Sequence, residues 1–175
     1  LQPRVAVLPC SADAPCTANA AVIRTVLESI PRNGAVIAPA GAALDGLQHG
    51  TLVRAYGADR QGDLYADNPC FSAEGTRFVL HARSSGESVV CDMPFLGRRA
   101  LHAAVAACTT ARLFGMPLHR IAEALLQTPP MQGVLHVRHT PDGVLRLENG
   151  AVYDAEGVLD SLWALGQFCR ARRIA

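Results

Sequence analysis

The sequence predicts an α/β fold: a partial parallel three-layer α/β sheet with an antiparallel β meander and a helix pair, followed by a small α/β C-terminal segment. Three observations predict it. Apolar runs alternate with helical patterns between Val5 and Tyr56. Strand-like runs separated by Gly-containing turns continue to Met93. Two runs of apolar residues at helical spacing then lie between Pro94 and Gln127.

The first part of the chain has the βαβ pattern of a parallel sheet. The apolar run Val5–Pro9 is typical of a buried parallel strand, and Asn19–Ile30 has the apolar spacing of an amphipathic helix. Ala35–Ala38 is a second apolar run after a Pro-Arg-Asn-Gly turn. We expect a short helical turn over Ala42–Gln48 and a third strand over Thr51–Tyr56.

An antiparallel meander is expected next. Strand patterns cover Pro69–Ser72, Thr76–Ala82 and Ser88–Met93, and Glu74-Gly75 and Ser84-Ser85-Gly86 supply the turns between them. The chain then changes to the helical period. A buried Ala-rich helix is indicated by apolar residues at helical spacing: Leu101, Ala104, Val105, Cys108, Ala111 and Leu113.

The residues that follow this helix predict a helix hairpin. Gly115 is suited to end it, Pro117 follows, and a second stripe begins at Leu118. Thr128-Pro129-Pro130 is the clearest boundary, because consecutive prolines cannot continue a helix. We therefore predict two domains, 1–128 and 131–175. The second is expected to hold short strands and a final helix: Val134–His139, Val144–Glu148, Ala151–Tyr153 and Asp160–Arg173.

Composition excludes several classes of function. A net charge of +1 gives no attraction to nucleic acid or to an acidic membrane, and no apolar run has the length of a membrane span. All 16 basic residues are arginine, so the sequence contains no lysine.

No signal peptide is visible, and since the chain starts at Leu1 without Met, we expect either upstream processing or a fragment. The scattered cysteines predict reduced structural thiols in a cytoplasmic protein: Cys10, Cys16, Cys70, Cys91, Cys108 and Cys169.

These motifs together resemble the Mur ligase family. The Gly97-Arg98 turn, a small-residue helix, a Gly-Met-Pro-Leu link and an Ile-x-x-Ala-Leu-Leu helix are similar to the end of its central domain. The order of elements is similar to the second half of that domain and the start of the C-terminal domain, with the D-alanyl-D-alanine-adding branch nearest. The resemblance implies ATP-dependent amino-acid ligation for peptidoglycan, with relatives that make folylpolyglutamate and cyanophycin.

The positions that the resemblance assigns to the nucleotide differ from the family pattern. The family has Gly-Arg-His-Asn-x-x-Asn at the helix start, with histidine and asparagine on the nucleotide. Alanine replaces both asparagines here and cannot make their amide hydrogen bonds. The matched positions are Gly97, Arg98, Arg99, Ala100, Leu101, His102 and Ala103.

Other implied site residues are also replaced. The phosphate-contacting arginine of the family falls on Val134, and its Asp-rich turn keeps only Asp160-Ser161. The segment that holds magnesium falls on Pro9–Pro15, which lacks its asparagine and histidine. The carbamylated lysine falls near Ile23 or Arg24, and without lysine no Gly-Lys-Ser/Thr phosphate loop exists in the sequence.

The sequence therefore predicts a non-catalytic Mur-ligase-like protein with a binding, scaffolding or assembly role, and no catalytic residue, cofactor or metal. The alternative is a fragment or subunit of an ATP-dependent ligase, with ATP and magnesium as cofactors and the phosphate-loop half upstream or on another chain. A third option is an unrelated small-ligand-binding α/β domain. Because a half sheet leaves an edge open, the expected partner is a second copy or a chain with the missing half-domain. Neither nucleic acid nor a membrane is expected.

Candidate sites have competing interpretations. Gly97, Arg98, Arg99 and His102 could be an anion or nucleotide remnant, since a helix start attracts anions, or simply a solvated helix end. His136 and His139 suggest a metal, but three residues apart on a strand they point to opposite faces. An acidic cluster near the end could hold a cation, or serve as a turn and helix cap: Asp154, Glu156 and Asp160. Trp163 and Phe168 are expected in the core.

Overall fold

The computed structural model describes residues 3–8, 20–47, 49–58, 60–130, 133–150 and 155–169. Several sequence predictions lie outside these ranges: the Pro9–Pro15 segment, Cys10, Cys16, the strand Ala151–Tyr153, and the end of the last helix at Arg173. None of the helices in the described part is both long enough and apolar enough to cross a membrane.

Twelve elements follow one another along the described residues. They are β1 (Val5–Val7), α1 (Ala20–Ser29), β2 (Ala35–Pro39), β3 (Leu52–Gly57), β4 (Leu64–Ser72), β5 (Gly75–Ala82), β6 (Ser88–Met93), α2 (Arg98–Leu113), α3 (Leu118–Gln127), β7 (His136–His139), β8 (Leu145–Glu148) and α4 (Ala155–Cys169).

The first six strands form one sheet in the order of the sequence. The pairs β1–β2, β2–β3 and β3–β4 are parallel, whereas β4–β5 and β5–β6 are antiparallel. The predicted parallel sheet and the predicted meander are therefore continuous, since β4 belongs to both. The strands β7 and β8 form a separate antiparallel hairpin, which is the predicted small C-terminal segment.

Helices cover both faces of this sheet, which confirms the predicted three layers. On one face Leu27 of α1, and Ile30 directly after the helix, are buried against Val36 of β2. On the other face α2 and α3 bury Val105 and Ile121 against β2 to β6. Strand β2 is buried on both faces, as a near-continuous apolar run predicts. Each fully buried aliphatic side chain contributes about 1.5–3 kcal/mol to folding.

The helix pair forms as the sequence predicts. Helix α2 ends at Leu113, and Gly115 follows with a φ of 84°, a conformation that suits glycine. Pro117 is the residue before α3. Its fixed φ and missing N–H are compatible with this position, because the N–H groups at a helix start have no partner within the helix. The tight link lets α3 pack on both α2 and β6, so the hairpin closes one side of the core.

The predicted helical turn over Ala42–Gln48 is wrong for the described residues 42–47, which form turns. Only isolated hydrogen bonds occur there, from Ala42 N–H to Pro39 and from Leu47 N–H to Leu44. Gly41 and Gly46 have φ values of 79° and 92°, and a positive φ does not occur within a right-handed helix.

Strand β4 also differs from prediction, because it begins at Leu64 and not at Pro69. The register shifts between Asp67 and Cys70, and Asn68 has a φ of 51°. Proline is tolerated at such a bulge because the ladder there needs no N–H donor. The alternation of apolar residues is interrupted at the bulge, so the sequence pattern revealed only the second half of the strand.

The last helix begins earlier than predicted, at Ala155 and not at Asp160. Asp160 therefore lies within α4, and its predicted role as a cap of that helix is wrong. The strand patterns before α4 are confirmed to within about two residues, an ordinary difference at element ends. The division into domains 1–128 and 131–175 stays a prediction.

Two cysteines lie between the sheet and α2. Cys91 of β6 and Cys108 of α2 are both buried, whereas Cys70 is exposed at the bulge in β4. Burial raises the pKa of Cys91 to about 11, with a smaller contribution from the charge of Asp92. Burial raises the pKa of Cys108 to about 12, and Cys91 adds to that shift. These thiols are therefore kept protonated by the fold.

We expect the free energy of unfolding to fall as the pH rises above about 9, where thiols of the unfolded chain ionise. The native state keeps both protons until the pH approaches 11 and 12, so it binds more protons than the unfolded state in this window. Each thiol contributes a slope of about 1.4 kcal/mol per pH unit. Urea unfolding between pH 8 and pH 10.5 measures this slope.

The variant Cys108→Ala separates this effect from general alkaline destabilisation. It removes one of the two buried thiols, so its slope should be about 1.4 kcal/mol per pH unit smaller than that of the unsubstituted chain. Cys70→Ala is the matched control, because an exposed thiol should leave the slope unchanged. Equal slopes for Cys108→Ala and Cys70→Ala would contradict the assignment.

Candidate functional site

The candidate site is the start of α2, where the sequence places Gly97, Arg98, Arg99 and His102. Gly97 precedes the helix with a φ of 96°, and its carbonyl accepts the first helical hydrogen bond from Leu101 N–H at 3.1 Å. A Cβ atom at this position would lie 2.5 Å from Leu135 Cδ1 and 2.6 Å from an oxygen of Asp160. Glycine is therefore required both by its conformation and by the close approach of two other side chains.

The first turn of α2 is capped by a carboxylate from a distant part of the chain. The backbone N–H of Arg98 donates to Asp160 Oδ1 at 3.0 Å. The first N–H groups of a helix have no partner within the helix, and the helix dipole favours a negative charge beside them. Asp160 supplies that charge from α4, so one donor of this turn is already used within the chain.

Aromatic contacts strengthen the same junction. The guanidinium carbon of Arg98 lies 5.0 Å from the centre of a Trp163 ring, within the range of a cation–π interaction. Trp163 in turn meets Phe71 of β4 edge to face, with 4.7 Å between ring centres and an interplanar angle of 87°. Asp160 and Trp163 are three residues apart on α4, so they share one face of the helix.

A small apolar cluster joins the β7–β8 hairpin and α4 to the sheet. Leu96, Leu135 and Ala164 are buried in it, with Val137 and Leu147 packed against them. Leu135 has a φ of 42°, a left-handed conformation that costs an ordinary residue about 1–2 kcal/mol. Burial of its side chain, of the order of 2 kcal/mol, offsets that cost. The cluster therefore determines the backbone path next to Gly97.

The structure brings the four predicted residues together at the start of α2. Arg99 is exposed, and His102 is half-buried one turn along the helix. Both make contacts within the chain. Ala103, at one of the two positions where the family has asparagine, is exposed and offers no hydrogen-bonding group. Whether this turn binds an anion or a nucleotide stays a prediction.

Sequence reasoning missed the two residues that complete this junction. Asp160, predicted to lie in a turn or helix cap, does not cap its own helix but accepts from Arg98 N–H. Trp163 packs against the cluster of Leu96, Leu135 and Ala164, as predicted for a core residue, and it also lies over the Arg98 guanidinium. The sequence did contain one signal, namely the Asp-Ser pair retained from the family pattern. Ser161 also bonds within the chain: it accepts from Asn149 Nδ2 at 2.6 Å and donates to the Gly157 carbonyl at 2.7 Å.

The other predicted sites are not assembled by the described residues. His136 and His139 lie on β7, opposite Glu148 and Leu145 of β8. Within the described ranges, no three His, Cys, Asp or Glu residues are grouped as metal ligands. Of the acidic cluster, only Asp160 has a described side chain, since Asp154 and the side chain of Glu156 lie outside.

A pocket of about 160 Å³ lies beside the junction, between the β4–β5 turn and the start of β7. Glu74, Phe95, Leu135 and His136 are among its lining residues. A hydrogen bond from the Ser72 hydroxyl lowers the pKa of Glu74, and the nearby His139 lowers it slightly further. Pockets for drug-sized ligands have about 300–1,000 Å³, so this pocket is below that range.

Comparison with known sequences identifies a relative among the Mur ligases. No family model matches the chain. The UDP-N-acetylmuramoyl-L-alanyl-D-glutamate–2,6-diaminopimelate ligase of Clostridium botulinum is 26% identical over 126 residues. The match includes 63% of this chain but 26% of that ligase. The chain therefore spans about a quarter of its curated relative.

Solved structures of Mur ligases have the same fold. MurF from Acinetobacter baumannii superposes with a TM-score of 0.75 at 19% identity, over 95% of this chain and 38% of that one. MurC from Thermotoga maritima gives a TM-score of 0.72 at 14% identity, over 97% of this chain and 39% of that one. The predicted resemblance to Mur ligases is confirmed, and so is the fold class.

We expect Asp160→Ala to lower the free energy of unfolding by about 1 kcal/mol, the usual effect of removing a helix cap. Asp160→Asn should lower the free energy of unfolding by less than Asp160→Ala does, because the amide oxygen of asparagine still accepts from Arg98 N–H. Urea denaturation monitored by circular dichroism measures both. Asp45→Ala, at an exposed turn, is the matched control and should change stability little. Equal effects at both aspartates would contradict the capping role.

Gly97→Ala should lower the free energy of unfolding by about 2–4 kcal/mol. About 1–3 kcal/mol comes from the backbone, because φ 96° with ψ 157° is a conformation that essentially only glycine adopts, and about 1 kcal/mol from displacement of Asp160 and Leu135 by the new methyl group. Gly115→Ala is the control, since its φ is also positive, 84°, but a Cβ there meets no atom within 4 Å. It should cost about 1 kcal/mol. Chemical denaturation tests the difference, and equal losses would show that the contacts at Gly97 are dispensable.

Proposed function

We propose that this chain, which resembles Mur ligases in sequence and fold, is a non-catalytic protein whose ligase-like framework serves binding or assembly. Alanine at both positions that the resemblance assigns to asparagines on the nucleotide carries the proposal, because a methyl group makes no hydrogen bond: these are Ala100 and Ala103. Asp160 does not distinguish the two candidate functions, since the resemblance implies the same Asp-Ser pair in the family. It occupies the Arg98 N–H in either case.

The residues around this turn do not fit ATP. The family resemblance implies two asparagines on the nucleotide, and Ala100 and Ala103 occupy those positions. It also implies an arginine on phosphate, which is Val134 here. Phosphoryl transfer depends on positioning the phosphates and stabilising their charge with cations. Because the sequence has no lysine, it lacks the lysine of a phosphate loop.

The open sheet edge supports an assembly role. Among the described residues, β1 pairs only with β2, so no described strand lies beside its outer edge. Val7 of β1 and Val22 of α1 are exposed near this end of the sheet. An uncovered strand edge with apolar neighbours favours association. The expected occupant is a second copy or a chain with the missing half-domain, and the expected location is the cytoplasm.

A second candidate function is favoured by the coverage of the relatives. The chain matches 38% of MurF from Acinetobacter baumannii and 26% of the Clostridium botulinum ligase. It would then be one part of an ATP-dependent amide-forming ligase, and the phosphate loop would lie upstream or on another chain. An in-frame Gly-Lys-Ser/Thr motif in the coding sequence upstream of Leu1 would favour this candidate.

Titration of ATP with magnesium into the purified chain tests the proposal. We expect no saturable heat by calorimetry up to about 1 mM nucleotide, a limit that corresponds to about −4 kcal/mol of binding free energy. Saturable binding by the unsubstituted chain at micromolar concentrations would contradict the proposal and favour the ligase candidate.

A further inference from the structure

We draw no further inference here: the strongest candidate, the pocket of about 160 Å³ between the β4–β5 turn and the start of β7, has no buried polar side chain among its described lining residues, and residues 131 and 132, next to its Pro130 and Val134 wall, lie outside the described part of the chain, so nothing in the structure shows what fills it.

Discussion

The hydrogen bond between Arg98 N–H and the carboxylate of Asp160 is the contact on which the arrangement of this protein depends. It joins the first turn of α2, in the middle of the chain, to α4 near its end. Around it, Gly97 must lack a side chain, and Trp163 must lie between Arg98 and Phe71. The sheet, the hairpin and the last helix meet here, so this junction fixes where the C-terminal elements lie on the sheet.

The start of α2 also bears on the chemistry expected of the fold. A helix start beside a parallel sheet is suited to phosphate, because its N–H groups and its dipole attract an anion. Here the anion is part of the chain. The alanines at positions 100 and 103 remove the side chains that the family resemblance would place on a nucleotide. The chain therefore has the fold of Mur ligases, whereas two positions that the resemblance places on a nucleotide are alanine.

Helix α4 shows the consequence of using polar residues inside the chain. Asp160 and Ser161, which are both half-buried, bind neighbouring elements of the chain. The opposite face then carries Leu159 and Leu162. Among the described residues, no strand lies beside the outer edge of β1, and a further strand there would satisfy its backbone groups.

The sequence alone determined the order of elements, the parallel and antiparallel parts of the sheet, and the family resemblance, because apolar period and turn residues act over a few positions. Three predictions from local patterns were wrong. Glycines 41 and 46 have a positive φ where a helical turn was predicted, and the bulge after Asp67 interrupts the apolar alternation of β4. Asp160 caps α2 and not the helix that contains it. Only the tertiary structure could pair Asp160 with Arg98, since they are 62 residues apart. No pattern in the sequence specifies a contact between residues that folding alone brings together.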